Sequence, residues 1–106
     1  MAEHNIIGHK GEQIAVETMR KKGFRVVDTN WKFGHLEMDV IAVNRKEIAF
    51  VEVKTRTSSF GDKRPEEFVD ELKRRRMAAA ANAYIKIHQI ELVPRFDIIG
   101  LLINPA

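Results

Sequence analysis

Three charged side chains interrupt runs that are otherwise apolar. Asp39, Glu52 and Lys54 lie within the stretch Leu36 to Arg56, LEMDVIAVNRKEIAFVEVKTR, where β-branched and aromatic residues fill both halves. Two carboxylates and an ammonium held together are suited to phosphoryl chemistry on a divalent metal. A hard cation such as Mg2+ takes oxygen ligands, usually one or two carboxylates with waters and a substrate phosphate. A lysine beside it can hold a phosphate or a developing negative charge. Whether these residues meet depends on the strands that carry them.

Val40 to Val43 and Ile48 to Val53 read as two strands of a β-hairpin, with Asn44-Arg45-Lys46-Glu47 as the turn. A turn centred between Arg45 and Lys46 pairs positions whose numbers sum to 91. Asp39 then lies opposite Glu52, Glu37 lies opposite Lys54, and alternation sends all four to one face. Directly opposed β-carbons stand roughly 4.5–5.5 Å apart, where like charges destabilise the pair, so two carboxylates there call for a cation. The competing reading is the solvated face of a half-buried sheet. Phe50 and Ile41 share the charged face, however, and Val51 and Val53 carry the other. Neither face is fully wet, and charges on a partly covered face need a reason.

An acid, a turn and then Glu52-Val53-Lys54 resemble the PD-(D/E)xK nuclease motif, with Asp39 as the acid and Glu52-Val53-Lys54 as the ExK. Over nearly the full chain, Gly11-Glu12, Glu37-x-Asp39, Phe50-Val51-Glu52-Val53-Lys54-Thr55-Arg56, Lys73 and Arg95-Phe96-Asp97 are similar to the YraN family of small proteins. That family is related in fold to restriction endonucleases and Holliday-junction resolvases. Leu36 stands where the family usually has glycine, a residue that would permit a bulge or close backbone approach. The resemblance implies a metal-dependent nuclease that hydrolyses DNA phosphodiesters. Asp39 and Glu52 would hold Mg2+ or Mn2+, with the backbone carbonyl of Val53 as a further ligand and Glu12 and Glu37 assisting through water. Lys54, held near carboxylates, keeps its charge, which favours stabilisation of transition-state charge over a general-base role.

The elements that must position these residues follow from periodicity. A first helix is predicted from Gly11 to Lys22, ending at Gly23, with Ile14, Ala15, Thr18, Met19 and Lys22 as its inward stripe. Glu12 in its first turn either complements the helix dipole or supplies a third carboxylate to the metal. Phe24 to Asp28 reads as a short strand and Thr29 to His35 as a connection. Trp31 is a packing residue, since one aromatic without neighbours is weak evidence for base stacking.

A polar loop, Thr57 to Arg64, follows the ExK strand and is expected to order on substrate. Pro65 then opens the longest element, a helix running to His88. Its stripe is Val69, Lys73, Met77, Ala80 and Tyr84, with Phe68, Leu72, Ala79, Ala83 and Ile87 alongside. Lys73 either snorkels or aims a cation at substrate phosphate. Lys73-Arg74-Arg75-Arg76, with Arg56, is either a solvated face or a set of phosphate contacts. The apolar run from Arg95 to Ile103 reads as a buried strand, in which Arg95 and Asp97 share a face and support the fold. The four histidines show no ligand spacing.

A chain of 106 residues suffices for one core, so residues 1–106 are expected to form a single domain, which the resemblance implies is nuclease-like. The fold class expected is α/β, a mixed sheet flanked by helices in the order α-β-β-β-α-β, which the resemblance implies is restriction-endonuclease-like. A net charge of +3 mildly favours a polyanionic partner, which the resemblance implies is DNA. The absence of cysteine excludes disulfides and thiolate metal sites and suits a reducing cytoplasm. Neither a signal peptide nor a run of roughly 20 apolar residues is visible, so the expectation is cytoplasmic with no membrane partner.

Three other functions compete. A non-catalytic nucleic-acid-binding module would rely on Arg56 and Lys73 to Arg76. A Holliday-junction resolvase would need a homodimer. In a purely structural α/β protein, removing Asp39 or Glu52 would raise stability.

Overall fold

The computed structural model describes residues 3–56 and 70–102. Helix α1 (Glu3–Lys21) is followed by strands β1 (Arg25–Phe33), β2 (Leu36–Val43) and β3 (Glu47–Arg56), helix α2 (Glu71–His88) and strand β4 (Val93–Leu102). The order is the α-β-β-β-α-β succession expected. The strands form one sheet in the order β1-β2-β3-β4. The first three are antiparallel neighbours, and β4 runs parallel to β3. A parallel neighbour needs a crossover, and α2 provides it. No described helix is long and apolar enough to cross a membrane.

The β2–β3 turn is built by Asn44. Its side-chain oxygen accepts from the backbone N–H groups of Lys46 and Glu47, at 2.9 and 2.6 Å, and its own N–H donates to the Glu47 carbonyl at 3.0 Å. This closure fixes the register as Val40 opposite Val51 and Ile41 opposite Phe50, the pairing inferred from the turn's centre.

Strand β1 is longer than the sequence suggests. It runs to Phe33, so the connection to β2 is Gly34 and His35 alone, with Gly34 at φ 64°. Asn30 and Lys32 read as loop residues because they are polar, yet both lie within the strand.

Each face of the sheet buries one cluster. Under α1 lie Ala15, Met19, Phe24, Val40, Ala42, Ala49 and Val51; under α2 lie Met38, Ile41, Ile48, Phe50, Met77, Ala80, Ala81 and Tyr84. Tyr84 anchors the second cluster by donating its hydroxyl to Asp28 Oδ2 at 3.0 Å. Burial, together with that carboxylate, pushes the hydroxyl up to about 12.

Both helices differ from expectation at their starts and on their faces. Helix α1 begins at Glu3 and not at Gly11, and at 19 residues it is longer than α2 with 18. Gly11 lies inside α1 because the helix presses there on β3, where a β-carbon would collide with Thr55 Oγ1. Ile14 is 37% exposed, and Lys22 lies past the helix end. Helix α2 is capped by Asp70, whose carboxylate accepts from Lys73 N at 2.8 Å. Leu72, Ala79 and Ile87, expected beside its buried stripe, are exposed, and Ala81 is buried in their place. The expected loop Thr57–Arg64, the start at Pro65, Glu66, Glu67, Phe68, Val69 and the strand end at Ile103 lie outside the described residues.

Strand β4 is an edge strand, not a buried one. Among the described residues it has a single neighbour, so Val93, Phe96 and Leu102 keep about half or more of their surface. An edge also explains Pro94, which has no N–H to give a second partner. Arg95 and Asp97 pair across one face at 2.8 and 2.9 Å, and Arg95 reaches Glu47 at 3.4 Å.

Candidate functional site

Side chains on β2 should alternate between the two clusters, and they do so from Val43 back to Val40. Met38, however, joins Ile41 under α2, so alternation breaks once, at Asp39. On β1, Asn30 lies between the pairs Thr29–Val40 and Trp31–Met38 and has φ 50°, a left-handed conformation that asparagine tolerates better than most residues. Both strands therefore change phase at the same level and stay paired.

Strand β3 does not follow them. The last β2–β3 pair is Val40–Val51, while β3 continues beside β4 as far as Arg56. The expected backbone pairing of Asp39 with Glu52 is thus absent. In its place the Asp39 carboxylate accepts the N–H of Val53 at 2.8 Å, acting as acceptor where the ladder has ended.

Glu52 projects to the α2 side and is 5% exposed. Its Oε1 lies 3.2 Å from Lys73 Nζ in the first turn of α2, while Oε2 is buried and has no hydrogen-bond partner among the described residues. Burial pushes the Glu52 carboxyl above its ordinary range, the Asp39 charge pushes it further, and Lys73 opposes both. Asp39, Glu52 and Lys73 therefore form one electrostatic unit. Lys73 is partly exposed along its length, as a snorkelling lysine is, and its amine sits on the buried acid, a partner that neither sequence reading named.

The other expected residues are placed differently. Glu12 is held by Asn30, whose Nδ2 donates to both carboxylate oxygens at 2.8 Å, so it braces α1 against the bend in β1. Among the described residues no three histidine, cysteine, aspartate or glutamate side chains are gathered closely enough to hold a metal. Glu37 is exposed and pairs with Lys32 on β1, and Lys54 is half-buried two residues beyond Glu52. Arg74, Arg75 and Arg76 are exposed on α2, where Arg75 makes a weak surface pair with Glu71 at 3.1 Å; Arg56 is exposed at the end of β3 and makes an interaction of its own. Asn30 was not singled out from sequence. Its only signal is an asparagine between Val26-Val27 and Trp31, residues that otherwise suit a strand.

The uncharacterised protein family UPF0102 matches residues 11–101, from the helical glycine against Thr55 almost to the end of β4. The chain belongs to that family. Among UPF0102 proteins, one from Porphyromonas gingivalis is 40% identical over 104 residues, covering 98% of this chain and 76% of its own. One from Bacteroides thetaiotaomicron is 43% identical, and one from Parabacteroides distasonis is 45% identical; each covers 96% of this chain and 84% of its own. Every UPF0102 position named above for the candidate site lies inside the matched span.

Proposed function

We propose that this protein is a metal-dependent nuclease acting on DNA, with Asp39 and Glu52 as the carboxylates that hold Mg2+ or Mn2+. The observation that carries the reading is the buried, unpartnered Oε2 of Glu52 next to a second carboxylate. An ionised oxygen is not left buried without a partner at no cost, and a cation satisfies it. The donor set fits: Mg2+ keeps several waters and needs only one or two carboxylates together with substrate phosphate. Val53 fits as a third donor. In an extended strand the N–H and C=O of one residue point to the same edge, so its carbonyl faces the side on which its N–H meets Asp39. When bound, the metal would supply Lewis acidity and a more acidic water.

The chain's own residues do the rest. Asp39 keeps the open end of β3 in place, Lys73 balances Glu52, and Lys54, one residue beyond Val53, supplies positive charge for a phosphoryl group. Arg56 and Arg74 to Arg76 are suited to backbone phosphates. The relation to restriction endonucleases is supported by an acid at a strand's phase break followed by Glu-x-Lys on the neighbouring strand.

One observation favours a non-catalytic nucleic-acid-binding module. Lys73 already neutralises Glu52, so a cation must compete with an ammonium at 3.2 Å. Calorimetric titration of Mg2+ and Mn2+ into the wild type, Asp39→Ala and Glu52→Ala separates the two readings when the same samples are assayed on single-stranded, duplex and branched DNA. The nuclease reading expects binding lost in both variants and metal-dependent cleavage by the wild type alone. Absence of metal binding in the wild type would leave the binding module.

A further inference from the structure

The single tryptophan has aromatic neighbours that sequence alone did not reveal. Trp31 lies parallel to Phe33, with ring centroids 6.0 Å apart and planes 8° apart, and meets Tyr84 edge-on at 5.1 Å. Tyr84 stacks on His88 at 4.1 Å. Phe33 is thus the outermost ring of a row held at its inner end by the Tyr84–Asp28 bond, yet it stays 49% exposed. It opens into a cleft of about 450 Å3 between β1 and the flank of α2, lined by Phe33, Ala79, Asn82, Ala83, Lys86 and Ile87.

We infer that this cleft holds one unstacked nucleobase of a single-stranded segment, with its phosphate at Lys86. An exposed ring on a braced neighbour offers a stacking face, which is how sequence-tolerant single-strand binders hold bases. The apolar floor of Ala79, Ala83 and Ile87 suits the second face of a base. Asn82 brings both a donor and an acceptor for a base edge, and Lys86 brings the charge that an apolar occupant would not need. The volume lies within the 300–1,000 Å3 typical of small-ligand sites.

Position links the cleft to the carboxylates. Phe33 pairs with Leu36, which is three residues of β2 from Asp39, or about 10 Å at roughly 3.3 Å per residue. The cleft opens on the side of the sheet that carries α2, the side to which Glu52 projects. The inference rests on the nuclease reading only for its direction. It names the substrate class as nucleic acid with an unpaired nucleotide a few positions from the scissile phosphate, since Lys86 lies along α2 roughly 20 Å from Lys73 beside Glu52.

Trp31 is the only tryptophan and lies parallel to Phe33, so its fluorescence reports on the cleft through that ring. The titrants are a short oligothymidylate, an abasic sugar-phosphate strand of the same length and a blunt duplex, all in EDTA. Oligothymidylate is expected to change Trp31 emission and to bind Phe33→Leu roughly fivefold to a hundredfold more weakly. The abasic strand should lose affinity similarly, and the duplex should leave the emission unchanged. Phe33→Leu keeps an apolar side chain on Trp31, and Phe33→Tyr keeps the ring and should bind as the wild type does, which separates stacking from folding. Equal binding by Phe33→Leu or by the abasic strand would overturn the inference. So would a Phe33-dependent self-association seen by sedimentation without any oligonucleotide.

Asp39→Asn should leave this binding intact. Phe33-dependent binding without metal-dependent cleavage keeps the base site and removes the nuclease. Cleavage indifferent to Phe33 does the reverse.

Discussion

Glu52 holds a proton more readily in the folded chain than in the unfolded one, because burial and Asp39 together outweigh Lys73. The folded state then binds more protons than the unfolded state, so stability falls as pH rises from the ordinary value of 4.5 through the raised one, and is level above it. Glu52→Gln removes the titrating group. Its melting temperature relative to the wild type should therefore climb across that window, which a series of melts from acid to neutral pH would reveal; a constant difference would contradict the placement of Glu52. Lys73→Met should extend the decline to higher pH, because it removes the cause that lowers the Glu52 pKa. At this scale much was legible in sequence. Asp39, Glu52 and Lys73 betray themselves as charges where the pattern wants apolar residues. Asn30 does not, because a left-handed residue inside a strand leaves no periodic trace. Glu12 was ambiguous, since an acid in a first turn has an ordinary explanation, and its actual partner lies 18 residues away.

Helix α1 sits close to β3 only because residue 11 has no side chain. Gly11→Ala would drive a methyl into Thr55 and is expected to cost about 1–3 kcal/mol, as overpacking does. Thr55→Ala should recover part of that loss. Gly8 is the opposite case: among the described residues nothing lies within 4 Å of where a β-carbon would stand, so Gly8→Ala should stabilise by about 0.5–1 kcal/mol. Denaturant titration of the variants checks both signs. The hairpin and the order of elements were readable because alternation and turn chemistry are local. The start of α1 was not, since a glycine required for close approach looks the same in sequence as one that ends a helix. The edge position of β4 was likewise hidden. An apolar run records that a strand has a buried side, but not how many neighbours it has.

Across the whole molecule, β3 is the spine. It has neighbours on both edges, and Ile48, Ala49, Phe50 and Val51 are fully buried. Their amides should exchange slowest, at the rate of global unfolding, whereas β1 and β4 open from the edges. The Val53 amide, held by a side chain and not by a strand, should exchange roughly tenfold faster than that of Val51, and Asp39→Ala should widen the gap. Hydrogen exchange followed residue by residue tests this ordering. The carboxylate of Asp39 thus stands in for a missing length of β2, and under the proposed nuclease function inheritance at this position would pass two filters at once. Asparagine would retain the acceptor while discarding the charge, so a lineage that gave up the chemistry could still keep the architecture through that one change. An alanine lineage would have to rebuild the end of the strand as well.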